Sequence, residues 1–233
     1  MKRFLAPAVV ATLLAAAAGI WGLMHFASFS PDRSTYPVRG IDVSRHQKHI
    51  DWRKVAADDV AFAILKATEG GDWVDPMFAR NFREAKAAGL SVGAYHFYRF
   101  CKPGAEQAGN FLATVPRDPD LLPPVVDIEF TGNCPERPSQ EALKAELAAF
   151  LDLVEPAYGK QAVIYLIGEA DRMYGGAMPE RRRWVRSIEA HPGHDRWIYW
   201  QYHDEGRVDG IEGDVDLNVL QGPAAILDSL AES

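Results

Sequence analysis

The chain has only two cysteines, Cys101 and Cys134, among 233 residues, and no CxxC pair or HExxH run accompanies its scattered histidines. Metal centres with the usual ligand spacings are therefore not indicated, and no metal is expected. No GxGxxG follows the first strand-like segment, so the phosphate-cradling turn of dinucleotide-binding sheets is missing. A basic excess is absent as well: 25 Lys and Arg stand against 32 Asp and Glu, a net charge of −7. Nucleic-acid binders usually carry basic patches, and "RRRWVR" at 181–186 is an isolated cluster in an acidic chain. Nucleic acid is set aside as a partner on that balance. Low-complexity tracts and internal repeats are also missing, which excludes solenoids and disordered arrays.

What remains is ordinary globular composition, 48% hydrophobic and 24% charged, enough for one good core of about 200 residues. The N-terminus differs in kind. Lys2 and Arg3 precede an apolar stretch, Phe4 to Ala27, and no charge appears before Asp32. A positive end ahead of an apolar run of this length is an export signature. "AAAAG" offers a cleavage site, yet "IWGLMHF" continues the apolar run, which favours an uncleaved anchor holding the protein to the inner membrane. Residues 1–28 are thus read as signal or anchor, 29–38 as a linker, and 39–233 as a periplasmic or extracellular domain. In an exported chain an even pair of cysteines reads as one disulfide, Cys101–Cys134.

Past the linker, strand-like and helix-like segments alternate. "VRGIDVS", "VAFAILKAT", "LSVGAYHFYRF", "PPVVDIEF" and "QAVIYLI" read as strands. Between them lie helical segments with terminal signals: Asp51 as N-cap, Asp75 and Pro76 opening the next helix, Gly89 ending it, and Ser139 capping a long one. After residue 167 the helices shorten, and "RRWVRSI", "RWIYWQY" and "DVDLNVL" read as closely spaced strands. Alternating apolar strands and helices imply parallel βαβ units. About eight strands in about 195 residues predict a barrel with a reduced helical ring, over the rival open doubly wound sheet. Loops leaving adjacent strands near Tyr98 and Glu129 would carry Cys101 and Cys134 side by side, since neighbouring strands lie about 4.8 Å apart.

In "LPPVVDIEF" two prolines forbid a helix, and strand alternation sends Asp127 and Glu129 to one side and Val126 and Ile128 to the other. Paired acids on a buried strand need a partner or a task. The other strand ends carry Asp42; Lys66 and Glu69; Tyr95, His96 and Tyr98; Tyr165; Trp184; Trp200, Gln201 and Tyr202; and Asp216 with Asn218. Taken singly, most have a plain structural explanation: Asp42 as a turn cap, His96 as a hydrogen-bonded core histidine, Trp184 and Trp200 as core. Together they line one rim with acids and aromatics. Aromatic faces pack on sugar rings, carboxylates and amides bind hydroxyls, and two carboxyls flanking one bond are what glycoside hydrolysis requires.

"GIDVSRHQKHIDW", "FAILKATEGGDWVDPMFARNFREAKAAGLSVGAYHFYRF", "QAGNFL", "PPVVDIEF" and "IYWQYHDEGRVDGIEGDVDLNVL" stand in the order seen in glycoside hydrolase family 25. The chain resembles these N,O-diacetylmuramidases, or Chalaropsis-type lysozymes, from about Arg39 to Leu220. The resemblance implies an irregular TIM-like barrel of five βα units and three further strands. It also implies cleavage of the β-1,4 bond after N-acetylmuramic acid in peptidoglycan glycan strands, with no cofactor. On that likeness Glu129 is the catalytic acid, Asp127 its companion, and Asp42 and Asp216 the first- and last-strand aspartates. Lys66, Glu69, Tyr95, His96, Tyr98, Tyr165, Trp184, Trp200, Gln201 and Tyr202 are the expected substrate-facing residues. Asp127 is expected to stay ionised through hydrogen bonds from residues such as Tyr165 or Gln201. Two departures stand out: Lys48 where many relatives carry Gly, and Ser187–Ile188 where a Tyr follows the strand tryptophan. A binding protein on the same scaffold, or a hydrolase acting on chitin, are the alternatives, and a monomer is expected.

Overall fold

The computed structural model describes residues 11–16, 19, 29–188, 190–194 and 196–232. The chain divides into two compact units, Met1–Ser30 and Pro31–Ser233. In the first, residues 11–16 are helical. Most of the apolar stretch expected to direct export lies outside the described residues. Among those described, no helix is long and apolar enough to cross a membrane.

The second unit is a closed eight-stranded barrel. Its strands are β1 (Arg39–Val43), β2 (Phe62–Glu69), β4 (Ser91–Phe97), β5 (Val125–Ile128), β6 (Val163–Leu166), β7 (Arg183–Arg186), β8 (Tyr199–Gly206) and β9 (Val215–Leu220), while the short β3 (Trp73–Val74) forms a hairpin on β2. Neighbours run parallel from β1 through β8, and β9 closes the ring antiparallel to both β8 and β1. Five helices follow the first five barrel strands: α1 (Trp52–Ala57), α2 (Phe78–Ala87), α3 (Gly104–Thr114), α4 (Gln140–Tyr158) and α5 (Gly168–Tyr174). Five βα units and three further strands result, as expected.

Local signals explain most boundaries. Asp51 caps α1 by accepting from the Lys54 amide, Ser139 caps α4 by accepting from the Ala142 amide at 3.2 Å, and Gly89 ends α2 with φ +90°. Asp75 departs from expectation. It lies before α2, buried, where its carboxylate accepts from the Met77 and Arg45 amides, both at 2.8 Å. It therefore ties the loop after β1 to the turn ahead of α2 instead of capping a helix.

Strand alternation sorts the apolar side chains into two layers. Val126 and Ile128 face outward and pack against the helices, whereas Val125 joins Phe62, Ile64, Val163, Tyr199 and Leu220 inside the barrel. Phe62 fills so much of that interior that a Cβ on Gly40 would stand 2.3 Å from its ring, so β1 needs glycine there. Leu227 and Leu230 of α6 (Ala225–Glu232) complete the interior cluster at the end where the parallel strands begin. The opposite end is left for polar residues.

Among the described residues, no helix covers the outer face of β8. Its aromatics do so instead: Trp200 packs on Tyr36, His191 and Trp197 with ring centroids 5.5–5.9 Å apart. The predicted disulfide is present, joining Cys101 and Cys134 with Cα atoms 6.0 Å apart.

Candidate active site

At the C-terminal end of the parallel strands a cavity of about 420 Å³ opens, the end at which barrel enzymes carry their sites. Asp42, Tyr95, Asp127, Glu129, Tyr165, Trp184, Gln201 and Asp216 line it, together with Thr131, Ile167, Arg186 and Asp204. All four acids expected to be catalytic therefore meet in one place.

Asp42 is held from two sides. Gln201 Nε2 donates to its Oδ2 at 3.1 Å, and Asn218 Nδ2 donates to the same oxygen at 2.7 Å. Each amide is itself oriented: Tyr165 OH donates to Gln201 Oε1 at 2.8 Å, and Trp184 Nε1 donates to Asn218 Oδ1 at 2.9 Å. A phenol and an indole thus fix two amides that fix one carboxylate. Burial still pushes the Asp42 carboxyl up to about 6, with these hydrogen bonds opposing it. Asp216, hydrogen-bonded to Asp42, is pushed up to about 9 by burial and by the neighbouring charge.

Asp127 and Glu129 share the interior face of β5 and its extension. Burial raises both, most strongly for Asp127, which is 6% exposed and also feels the charge of Glu129. Lys66 opposes the rise in both. The expected donors to Asp127 are engaged elsewhere, since Tyr165 serves Gln201 and Gln201 serves Asp42. Asp127 Oδ1 is buried with no hydrogen-bond partner among the described residues. The two carboxyls are coupled, and burial with mutual repulsion disfavours the state in which both are charged.

The structure separates the remaining expected residues from the cavity wall. Lys66 and Glu69 pair beside it at 2.9 Å, with the Lys66 ammonium 4.7 Å from the Phe97 ring centre and Arg99 on the other side of Glu69 at 3.0 Å. His96 and Tyr98 point outward, because they alternate with Tyr95 and Phe97. His96 is 0% exposed, bonded to Thr68 Oγ1 at 2.7 Å and Gln107 Oε1 at 3.0 Å, and burial lowers its pKa to about 4. Tyr98 is buried against Phe150 of α4. Trp200 and Tyr202 face outward for the same reason, and the Arg39 guanidinium stacks 5.7 Å from the Tyr202 ring centre.

Arg186 and Asp204, an ion pair across β7 and β8, were not anticipated. Arg186 lies two residues beyond Trp184 on the same strand face, so the period of two was a sufficient signal. Asp204 had none, because irregular register after Gln201 in β8 breaks the alternation.

Residues 41–211 match the family described as glycosyl hydrolases family 25. The chain belongs to that family. It is 35% identical to the uncharacterized protein YegX of Escherichia coli K12, over 90% of this chain and 81% of that one. It is 34% identical to Lysozyme M1 of Streptomyces globisporus, over 85% of this chain and 73% of that one. A family 25 glycosyl hydrolase from Bacillus anthracis superimposes with a TM-score of 0.80 at 35% identity, covering 86% of this chain and 95% of that one. Within family 25, the departure at Lys48 has a visible consequence: this residue adopts φ +55°, ψ −127°, a conformation suited to glycine. At the other departure, the Ser187 carbonyl accepts from Trp200 Nε1 at 2.8 Å, which joins the end of β7 to the outer face of β8.

Proposed function

We propose that this family 25 hydrolase is a muramidase that cuts the β-1,4 bond between N-acetylmuramic acid and N-acetylglucosamine. The observation carrying the reading is the Asp127–Glu129 pair, both carboxyls raised, at the floor of a cavity walled by aromatics and amides. In this reading Glu129 protonates the glycosidic oxygen. Asp127 serves the 2-acetamido group of the sugar, whose carbonyl oxygen attacks the anomeric carbon from the opposite face. An acetamide N–H donating to the vacant Oδ1 of Asp127 supplies the hydrogen bond that atom lacks. Such a bond favours the charged form of Asp127, so the pair's proton passes to Glu129 when substrate is seated. Asp127 sits two residues from Glu129 on one strand, on the same side of the ring, which favours substrate assistance over direct attack by the enzyme.

Asp42 and Asp216 act at a remove. They and the Tyr165–Gln201 and Trp184–Asn218 pairs keep the wall opposite β5 rigid and polar, so that charge developing on the sugar is met by oriented groups. No step requires a metal or a nucleotide. Lys2 and Arg3 ahead of the apolar stretch support delivery of residues 39–233 across the inner membrane, with the stretch retained as an anchor. A reporter joined after Ser233 and active only in the cytoplasm would refute that topology.

The reaction is tested by digesting purified peptidoglycan and identifying the new reducing ends by mass. Muramic acid ends are expected. Glucosamine ends, or cleavage of chitin alone, would contradict the assignment of the bond.

A further inference from the structure

Among the described residues, Arg186 is the only cation in a cavity wall that also carries Asp42, Asp127, Glu129, Asp204 and Asp216. Its guanidinium pairs with Asp204 at the cavity edge, the two side chains being 36% and 33% exposed. A pair so exposed contributes little net stability and opens readily. Nor is the charge of Arg186 spent on the inner acids: it opposes the upward shifts of Asp42, Glu129 and Asp216, yet all three remain raised. The guanidinium has five donors in a planar fork, and Asp204 occupies part of it.

An acidic cavity poses a problem for an acidic substrate. N-acetylmuramic acid differs from N-acetylglucosamine by a lactyl ether on C3, next to the acetamido group on C2. Where the stem peptide is attached, the lactyl carboxyl is a neutral amide. Where the stem has been removed, it is a carboxylate, which the ionised acids of that wall would repel. Among the described residues of that wall, Arg186 is the cation that can receive it, by the bidentate geometry that guanidinium and carboxylate share.

We propose that Arg186 is a specificity residue that receives the free lactyl carboxylate of muramic acid, so that the enzyme prefers glycan strands stripped of their stem peptides. Resting on the muramidase reading, this adds which form of the polymer is preferred. It also makes Asp204 the holder that keeps the guanidinium in the wall when the cavity is empty.

The test compares wild type, Arg186→Gln and Arg186→Lys on one peptidoglycan preparation in two forms, with stems intact and after an amidase has cut the lactyl–alanine bond. The measured quantity is the ratio of kcat/KM on stripped to intact strands. Wild type should show a ratio of about tenfold or more, the scale of a charge-assisted hydrogen-bonded pair. Arg186→Gln should bring the ratio to about one, and Arg186→Lys, a point charge without the fork, should fall between. An unchanged ratio in Arg186→Gln, or an equal loss on both forms, would overturn the proposal. A larger loss on intact strands would assign Arg186 to a stem carboxylate and overturn it also. A second measurement needs no variant: wild type should bind the soluble N-acetylglucosaminyl–N-acetylmuramic acid disaccharide about tenfold more tightly than its lactyl amide. Equal binding would contradict the inference. Wild type releasing no muramic acid ends from either form would instead refute the muramidase reading beneath it.

Discussion

Asp42 and Asp216 are register partners across the antiparallel β1–β9 pair, and their carboxyls are hydrogen-bonded to each other inside the site. With Asp216 pushed up to about 9 and Asp42 to about 6, the folded protein keeps protons that the unfolded chain releases near 3.8. The associated stability is fully present below that unfolded value. It is lost as pH rises, first toward 6 and then toward 9. Asp216→Asn keeps the shape and abolishes this titration. It should stabilise the protein at pH 8 by about 1–3 kcal/mol, the full linkage being reduced by solvent access, and should flatten the dependence of Tm on pH. Thermal melts from pH 4 to 9 check this, and a variant as pH-sensitive as wild type would contradict it.

His96 is expected to support the fold and not the chemistry. Its ring bridges Thr68 and Gln107 behind the strand, with a pKa near 4. The folded value is depressed, so the stability it confers is present above about 6.5 and is lost as pH falls toward 4. His96→Ala should lower stability by about 2–4 kcal/mol through a cavity and two unpaired polar groups. The kcat of the folded fraction should stay within a few-fold of wild type. A loss of activity without a loss of stability would return His96 to the active site.

Lys48 tests a backbone effect. At φ +55°, ψ −127° a side chain is strained, and Lys48→Gly should stabilise by about 0.5–1 kcal/mol, relief of strain outweighing the added freedom of the unfolded chain. A denaturant titration would show a higher midpoint; a lower one would mean that the lysine side chain contributes more than the strain costs.

The Cys101–Cys134 bridge spans 33 residues of sequence and ties the loops after β4 and β5. In the chain-entropy model its loss costs about 3–4 kcal/mol. Thiol titration of the denatured, unreduced protein should find no free thiol. The Cys101→Ala, Cys134→Ala double variant should melt well below wild type, and an unchanged Tm would contradict a stabilising role.

How far this was legible can be traced strand by strand. On β5 the period of two placed Asp127 and Glu129 inward and Val126 and Ile128 outward, and the fold agrees. On β4 and β8 nearness to the strand end says which residues reach the rim but not which side they face. By nearness alone His96, Tyr98, Trp200 and Tyr202 belong inside, whereas alternation sends them out. Applied on β7, that rule reaches from Trp184 to Arg186, but the run of arginines read as an isolated basic cluster. The network holding Asp42 was beyond reach, because Gln201 and Asn218 meet it only when β9 closes the ring. A helical signal also misled at Asp75, where a tertiary bond to the Arg45 amide outweighed the capping pattern.

The most direct measurement is the turnover of Glu129→Gln on purified peptidoglycan beside wild type, with circular dichroism to show that both are folded. The substitution keeps the shape of the side chain and removes its acidic proton. Turnover should fall by about 10²–10⁴ or more, and Asp127→Asn should cost a comparable factor. A folded Glu129→Gln protein releasing muramic acid ends at close to the wild-type rate would contradict the assignment of β5 as the catalytic strand.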